Sequence, residues 1–407
     1  MSDAGLSETQ RDVRHAVGAV CSAFGDDYWL AREREHSYPH ELYAALQSGG
    51  WLGVALPAQH GGAGLGIGEA MIMLETIAES GAGFAGAQSI HANIYPNTIA
   101  AEFGTSKQQA AWLPGLIDGR IRSGFAVTEP TTGLETLKLR TRAERREGGW
   151  LINGQKIWTS SAQVASHLVI LARTAPPSDH SRSSGLSLFF APIRDAPHAP
   201  GVSAQQSALR KGVEMRRIEK MGGNCVDANE IWFDDFEVEE SCLIGPAENE
   251  GKGFKMVLHG MNAERCLIAG EALGLGYAAL IKAVKYAQER VVFGKAIGGH
   301  QAIQHQLSRA FIELEAAKHL VLAAARSYDA REAAVGAQAN AAKYFAAEAA
   351  WKACETAVLV HGGMGYAKEY HVERYLREAM AMRLAPISKE MLLNYVGQSV
   401  LGLPKSY

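Results

Sequence analysis

Two segments in the second half of the chain combine residue types that can hold a phosphate-bearing, aromatic ligand. The first contains Arg290, then Phe293 three residues later, and Gln301 eight residues after the phenylalanine. A guanidinium can clamp a diphosphate as a charged fork, and a phenyl ring can pack on another aromatic ring. Taken alone, these residues fit a surface salt bridge and a core ring equally well, so the spacing leaves both interpretations open.

The second segment contains adjacent glycines, Gly362 and Gly363, directly after His361 at the end of a helical pattern. Because glycine has no Cβ, the backbone N–H groups of such a pair can approach a phosphate closely. The alternative is an ordinary glycine cap at the end of a helix.

Other common site signatures are weak or missing. The clusters Gly62–Gly66 and Gly274–Gly276 look like dinucleotide loops, but neither completes GxGxxG after a convincing strand. The second cluster lies in a helical stretch, so close helix packing explains it better. His300 and His305 share no helical face with carboxylates at ligand spacing, and we expect no metal site.

The composition is that of an ordinary folded protein. Of the 407 residues, 47% are hydrophobic, and 40 Lys+Arg against 43 Asp+Glu give a net charge of -3 with no basic block. A nucleic-acid partner is therefore not expected. Five scattered cysteines without a CxxC pair favour a reducing compartment. The start lacks the apolar core of a signal peptide, and the longest apolar run, 266–281, is interrupted by Glu271, so we predict a cytoplasmic protein without a membrane span.

The hydrophobic pattern divides the chain into three parts. Residues 1–124 show helical spacings, and residues 125–240 show short β-type runs separated by turn signals such as Asn153–Gly154. Residues 241–407 return to long, alanine-rich amphipathic helices. The pattern predicts an α+β, mainly α, fold with an N-terminal helical domain, a middle antiparallel β-barrel or sandwich, and a C-terminal helical bundle.

Five motifs in a fixed order connect the two candidate segments with the middle of the chain. They read AVTEP at 126–130, NGQKIWTS at 153–160, EKMG at 219–222, RVVFG at 290–294 and HGGMGYAKEYHVER at 361–374. This order resembles the acyl-CoA dehydrogenases, flavoproteins that introduce a double bond next to an acyl-CoA thioester. The resemblance covers nearly the whole chain. It implies an N-terminal helical domain, a middle β-domain, a C-terminal four-helix domain and a homotetramer or homodimer.

The resemblance also implies FAD as cofactor and gives two sets of residues a role in binding it. The first set is expected to lie against the isoalloxazine ring and consists of Phe125, Val127, Thr128, Trp158 and Ser160. In this set the threonine and the serine supply hydroxyl groups. The second set is expected to hold the diphosphate and adenosine of the FAD in a neighbouring subunit and consists of Arg290, Phe293, Gln301, Gly362 and Gly363. Cofactor binding would then require oligomerisation.

Such a reaction needs a carboxylate beside the substrate Cα, because the α-proton of a thioester is only weakly acidic. Many relatives carry this glutamate in a loop where the present chain has Ala385. A second branch, which includes isovaleryl-CoA and some long-chain enzymes, carries it in an earlier helix, where this chain has Glu264. Glu264 is therefore the predicted base and Glu390 the alternative, while the backbone N–H of Ala385 is expected to polarise the thioester carbonyl.

The surroundings of Glu264 support its selection. A solvated helix glutamate paired with a basic residue one turn away is the alternative interpretation. Apolar neighbours in the sequence, Met261, Leu267 and Ile268, favour a carboxylate in an apolar cleft, where its proton affinity rises.

Three positions depart from the common pattern of the family. Leu134 replaces a serine that often contacts the thioester arm, Leu359 replaces a frequent glutamine, and Asn224 replaces a common arginine. The resemblance places Leu134 and Arg265 at substrate-binding positions. Leu134 leaves open an acyl carrier protein in place of CoA.

The leading hypothesis is FAD-dependent dehydrogenation of an acyl-CoA to the trans-2-enoyl thioester, with electrons passed to an electron-transferring flavoprotein. The alternative within the same fold is a flavin monooxygenase or a non-redox eliminase acting on a CoA or acyl-carrier thioester. Such enzymes would be expected to lack a base placed for α-proton removal. A catalytically silent helical interaction protein is the third possibility.

Overall fold

Helices make up the N-terminal part of the computed structural model, which describes residues 3–178, 181–195 and 207–405. Ser7 and Thr105 begin two of them with capping boxes, in which each hydroxyl accepts the N–H three residues on. The helices of this part are α1 (Glu8–Cys21), α2 (Asp26–Glu35), α3 (His40–Ser48), α4 (Ile67–Ile77), α5 (Gly83–His91), α6 (Tyr95–Phe103) and α7 (Ser106–Ile117).

A seven-stranded sheet follows within the described residues. Its strands are β1 (Ser123–Ala126), β2 (Arg142–Arg146), β3 (Gly149–Ser160), β4 (His167–Arg173), β5 (Leu186–Pro192), β6 (Val213–Arg217) and β7 (Ala228–Glu239). The spatial order is β1-β4-β2-β3-β7-β6, and β5 also pairs with β4. The inward-facing side chains of these strands form a core of their own around Trp150, Phe189 and Phe236.

The sheet differs from the sequence-based prediction in two respects. It is not wholly antiparallel, because β1 runs parallel to β4 with Ser123 opposite His167. Asn153–Gly154 is not a turn between strands but a bulge inside β3, where the register with β7 shifts between Ile152 and Gly154. Gly154 has φ 151°, and a Cβ there would lie 2.5 Å from the Thr141 hydroxyl oxygen, so the close approach of Thr141 requires glycine.

Helices return after the sheet. They are α8 (Gly253–Glu289), α9 (Gln301–Asp329), α10 (Val335–His361), α11 (Val372–Leu384) and α12 (Lys389–Tyr395). A small hairpin of β8 (Val291–Val292) and β9 (Lys295–Ala296) connects α8 to α9. The predicted order of helical, β and helical parts is confirmed.

Helix α8 runs through the main helical core, which residues of the N-terminal and C-terminal helices share. A Cβ at Gly274 would lie 2.1 Å from the carbonyl oxygen of Glu75 on α4, so this glycine permits close helix packing, as the sequence predicted. By length and composition α8 could cross a membrane, but 83% of its most apolar stretch is buried inside the protein, as in a core helix. The five cysteines are all buried and free.

Candidate active site

A cavity of about 330 Å³ lies where the N-terminal helices, the sheet and α8 meet. Two helices each present one face to it: Phe84, Gln88 and His91 lie at i, i+4 and i+7 of α5, and Met261, Glu264 and Ile268 lie on one side of α8. Eight of the residues predicted from the sequence to have a functional role line this cavity. They are Phe125, Val127, Thr128, Leu134, Trp158, Ser160, Glu264 and Ala385. We call this cavity the chamber.

A buried ion pair fixes the chamber wall that follows β1. The Lys156 ammonium donates to the Val127 carbonyl and to the Glu129 carboxylate, both at 3.0 Å, and Glu129 also accepts the N–H groups of Arg140 and Thr141. Burial lowers the pKa of Lys156 to about 8, although the Glu129 charge opposes this change. Since a buried charge without a partner is costly, Lys156 and Glu129 hold the AVTEP segment in one conformation.

Trp158 faces the chamber because β3 is irregular at this point. The register between β3 and β7 shifts between Lys156 and Thr159, and Trp158 takes a left-handed backbone conformation with φ 64°. Its ring remains 55% exposed. A large aromatic side chain held in an unusual backbone conformation at a cavity mouth is typical of a ligand-covering residue.

Glu264 lies on α8 with its side chain 12% exposed. Met261 and Ile268, one turn away on either side, line the chamber with it, as predicted from their apolar character. Leu267 is instead buried in the helical core. The setting of Glu264 is not wholly apolar, however, because the Nε2 atom of His91 lies 3.9 Å from its Oε1 atom.

His91 is a functional candidate that the sequence analysis missed. Its Nδ1 atom lies 2.8 Å from Glu271 Oε1, and both side chains are buried. Burial lowers the pKa of His91, but the carboxylates of Glu271 and Glu264 outweigh burial and raise the pKa to about 9. The imidazole is therefore protonated at neutral pH. The one available signal was Glu271, a carboxylate within an apolar run that must find a buried partner.

A row of aromatic rings connects this ion pair to β1. The ring centroids of His91 and Tyr95 are 5.0 Å apart, and those of Tyr95 and Phe125 are also 5.0 Å apart in an edge-on arrangement. Such contacts restrict ring orientation. The base candidate and the strand expected to face the flavin are thus positioned by the same packed side chains.

The remaining residues predicted to take part in catalysis or substrate binding differ in whether they line the chamber. Ala385 lines it, but its N–H donates to the Ala381 carbonyl at 2.9 Å as α11 ends. Arg265 is buried, donates to Asn262 Oδ1 at 2.7 Å and is not among the lining residues. Glu390, the alternative base, is exposed and does not line the chamber.

A second cavity, of about 700 Å³ and open to solvent, contains most of the predicted diphosphate and adenosine residues. Arg290, Phe293, Gly362 and Gly363 line it, and the stacked rings of Tyr286 and His361, with centroids 4.3 Å apart, contribute to its wall. Gln301 begins α9 beside it but is not in the lining, whereas its neighbours are. We call this surface the nucleotide face.

The nucleotide face is suited to a ligand with an aromatic ring and phosphates. Phe293 is 92% exposed, so its ring has no cover within the chain. A Cβ at Gly362 or at Gly363 would meet no atom within 4 Å, which leaves their backbone open to a ligand. The chamber and the nucleotide face share no lining residue.

The three departures from the family pattern have different settings. Leu134 is 59% exposed at the chamber, and Leu359 is 66% exposed on α10. Asn224 donates through its backbone N–H and its side chain to the Glu33 carboxylate, which Arg377 also contacts. Asn224 therefore has a structural hydrogen-bonding role outside the chamber.

Known proteins are similar to this chain over most of its length. Models of the acyl-CoA dehydrogenase N-terminal, middle and C-terminal domains match residues 7–120, 124–236 and 251–401. Acyl-CoA dehydrogenase FadE12 of Mycobacterium tuberculosis is 35% identical over 404 residues, which cover 98% of each chain. An acyl-CoA dehydrogenase of Bacillus subtilis is 34% identical over 370 residues, covering 91% of this chain and 92% of its own.

The fold similarity extends over the same length. Butyryl-CoA dehydrogenase from Megasphaera elsdenii superimposes with a TM-score of 0.88 at 26% sequence identity, covering 98% of this chain and 100% of that one. Within the described residues, no group of three or more His, Cys, Asp or Glu side chains could hold a metal ion. The chain belongs to the acyl-CoA dehydrogenase family and is an FAD-dependent oxidoreductase of that family.

Proposed function

We propose that this enzyme converts an acyl-CoA to its trans-2-enoyl thioester with Glu264 as the base that removes the α-proton. The observation that carries the proposal is the position of Glu264 in the chamber, opposite the AVTEP and WTS residues expected to face the flavin. Ala385 occupies the other position at which the family places a base, and a methyl group cannot accept a proton.

Different residues of the chamber have different roles in the proposed reaction. Thr128 and Ser160 supply hydroxyl groups for the polar edge of the ring system, and Trp158 covers it. When bound, FAD supplies the two-electron acceptor for the hydride lost from the substrate Cβ. Glu264 accepts the Cα proton on a carboxylate oxygen, and Met261 and Ile268 exclude water around it.

Polarisation of the thioester carbonyl by the Ala385 N–H requires one adjustment. This N–H now donates to Ala381, so the proposed contact forms by sharing the hydrogen between two acceptors. Three-centred bonds of this kind are common at helix termini. Leu134 and Arg265 are proposed substrate-side residues. Leu134 lines the chamber and can contact the substrate directly, whereas Arg265 is buried behind the lining and acts through its neighbours.

We further propose that FAD binds between subunits of a homotetramer or homodimer, with the nucleotide face of one chain completing the chamber of another. The absence of shared lining residues and the uncovered Phe293 ring support this arrangement. An electron-transferring flavoprotein is the proposed acceptor, and the cytoplasm the proposed location. Residues 1–124, 125–240 and 241–407 are the proposed domains.

Glu264 also separates the leading function from its alternative. A flavin monooxygenase or a non-redox eliminase on the same fold does not need a carboxylate placed for α-proton removal. Glu264 lines the chamber, and this favours the dehydrogenase.

Anaerobic stopped-flow reduction of the bound flavin by acyl-CoA tests the assignment. Glu264→Gln keeps the shape but removes proton acceptance, so substrate should still bind while flavin reduction slows by about two orders of magnitude or more. Glu390→Gln is the matched control, since this carboxylate lies outside the chamber, and it should reduce at the normal rate. Near-normal reduction by Glu264→Gln would contradict the assignment.

A further inference from the structure

A buried N–H group points into the chamber without a hydrogen-bond partner. The Nε2 atom of His91 is buried and has no acceptor within hydrogen-bonding distance, while Glu264 Oε1 lies 3.9 Å away. On the other side of the ring, Nδ1 contacts Glu271 at 2.8 Å. Since unsatisfied buried polar atoms are rare in folded proteins, this one calls for an explanation.

The orientation of the His91 ring is fixed by its neighbours. Glu271 is fully buried and also accepts the Gln88 amide at 3.2 Å, so its carboxylate has little freedom. The ring packs against Tyr95 on α6. These contacts hold Nε2 toward the chamber, and the imidazole cannot turn away without breaking the contact with Glu271.

The start of α5 is also anchored. Arg374, in the VER motif, donates to the carbonyl groups of Gly81 and Ala82 just before the helix, and Glu378 accepts the Ala85 N–H. Both side chains are buried. The last sequence motif therefore helps to fix the helix that carries His91.

Other charged or titratable groups face the pair from each adjacent element. They are Glu271 and Arg265 on α8, Tyr95 on α6 and Lys343 on α10. Lys343 donates to the Ile387 carbonyl, and Arg265 donates to Asn262, although the buried Nε of Arg265 has no partner. His91 differs from these two because its unpartnered Nε2 lies 3.9 Å from the carboxylate of the base.

We propose that His91, oriented by Glu271, is a positioning residue that holds the Glu264 carboxylate aimed at the substrate Cα. This proposal rests on the proposed role of Glu264 as base. His91 does not touch the reacting atoms; it acts through Glu264. A small closure of the gap from 3.9 Å would give Nε2 its missing acceptor and leave the second carboxylate oxygen free for the proton.

The protonation state of His91 is consistent with this role. With its pKa raised to about 9, the ring is a cation at neutral pH, and both of its nitrogens carry a proton. One N–H is therefore available for Glu271 and the other for the Glu264 carboxylate, and hydrogen bonds between charged groups are stronger than neutral ones.

The test compares the rate constant of flavin reduction with KM in the holoenzyme. The double variant His91→Gln/Glu271→Gln removes both buried charges and keeps hydrogen-bonding capacity at similar side-chain volume. Its rate constant of flavin reduction should fall about tenfold or more, because a poorly aimed base slows proton removal, while KM changes less than about threefold. Ser89→Ala removes a buried hydroxyl from α5, outside the chamber, and should leave both constants unchanged.

A stability measurement gives a second readout. Because the pKa of His91 in the folded protein, about 9, is above its ordinary value of 6.5, the ion pair stabilises the fold fully below pH 6.5. That stabilisation is lost as the pH rises through 9, so the difference in unfolding free energy between wild type and the double variant should decline over this range.

A normal rate constant of flavin reduction in a folded, FAD-loaded double variant would overturn the proposal. If that variant does not fold, Glu271→Gln decides the question with the same expected fall in rate, since it weakens the contact that orients the His91 ring at minimal change of shape. Glu264→Gln, measured in parallel, separates the two claims. Loss of reduction there together with a normal rate in the His91 variants would reject His91 and retain Glu264.

Discussion

The chamber and the nucleotide face are built in opposite ways. The chamber is enclosed by helices, strands and a buried ion pair of the same chain, and Lys156 and Glu271 have no exposed surface. The nucleotide face exposes apolar side chains to solvent: Phe293 is 92% exposed and Met364 is 45% exposed. The difference indicates that one chain organises the reacting groups by itself and leaves the cofactor's nucleotide end to be covered by another molecule.

The largest effect should come from mixing two defective chains. Glu264→Gln removes the base from the chamber, and Arg290→Ala removes the diphosphate contact from the nucleotide face. Each homo-oligomer should therefore be nearly inactive at limiting FAD. If FAD binds between chains, mixed oligomers contain sites with an intact chamber from one chain and an intact face from the other. Random pairing of symmetric subunits should restore roughly a quarter of the sites. No recovery after co-expression would indicate that both parts act within one chain.

The Arg290→Ala variant alone should bind FAD about tenfold or more weakly, because it loses a charge-assisted contact with the diphosphate. Equilibrium titration of the apoprotein with FAD measures this effect. Lys285→Ala removes an exposed cation from α8, which ends directly before Arg290, and Lys285 lies outside the cavity lining, so this variant should bind FAD normally. Equal affinity in the two variants would remove Arg290 from the cofactor site.

The two glycines of the nucleotide face should behave differently. Gly362 has φ 59° and ψ -133°, so Gly362→Ala should lower the free energy of unfolding of the apoprotein by about 1–3 kcal/mol. Gly363 has open space around it and no positive φ, so Gly363→Ala should leave apoprotein stability unchanged and weaken FAD binding severalfold. Normal FAD binding by Gly363→Ala would mean that no phosphate approaches this backbone.

A last effect, of similar size, concerns the acyl group. Ala385 leaves space in the chamber wall where many relatives carry a glutamate, so branched or bulky acyl-CoAs should have a higher kcat/KM than butyryl-CoA, by about tenfold. Ala385→Leu should reverse the order by filling this space. A higher kcat/KM for butyryl-CoA than for every branched or longer substrate would refute the prediction.

The sequence predicted much of the chamber because its residues occur in compact motifs. Phe125 lies in β1, and Val127 and Thr128 follow directly after this strand, so one short segment of the chain carries all three. The α–β–α order was likewise visible from the change between helical and strand periodicity. The predicted domain boundaries at 124/125 and 240/241 stay predictions.

The rest depended on contacts between distant parts of the chain. His91 is a single histidine on a short helix, and its partner Glu271 is 180 positions away, so no local spacing connects them. The Ala385 N–H was expected to polarise the thioester carbonyl, but its bond to the Ala381 carbonyl depends on where α11 ends, which the sequence did not predict. Asn153–Gly154 has the residues of a tight turn, yet cross-strand packing against Thr141 converts it into a bulge.

The central claim is that Glu264 supplies the carboxylate that Ala385 lacks. Stopped-flow flavin reduction under anaerobic conditions tests it most directly in Glu264→Gly and in the double variant Glu264→Gly/Ala385→Glu. The single variant should reduce flavin at least about a hundredfold more slowly. The double variant should recover part of that loss, and the recovery should be incomplete, since a misplacement of about 1 Å can cost about a hundredfold. A near-normal rate in Glu264→Gly would contradict the account.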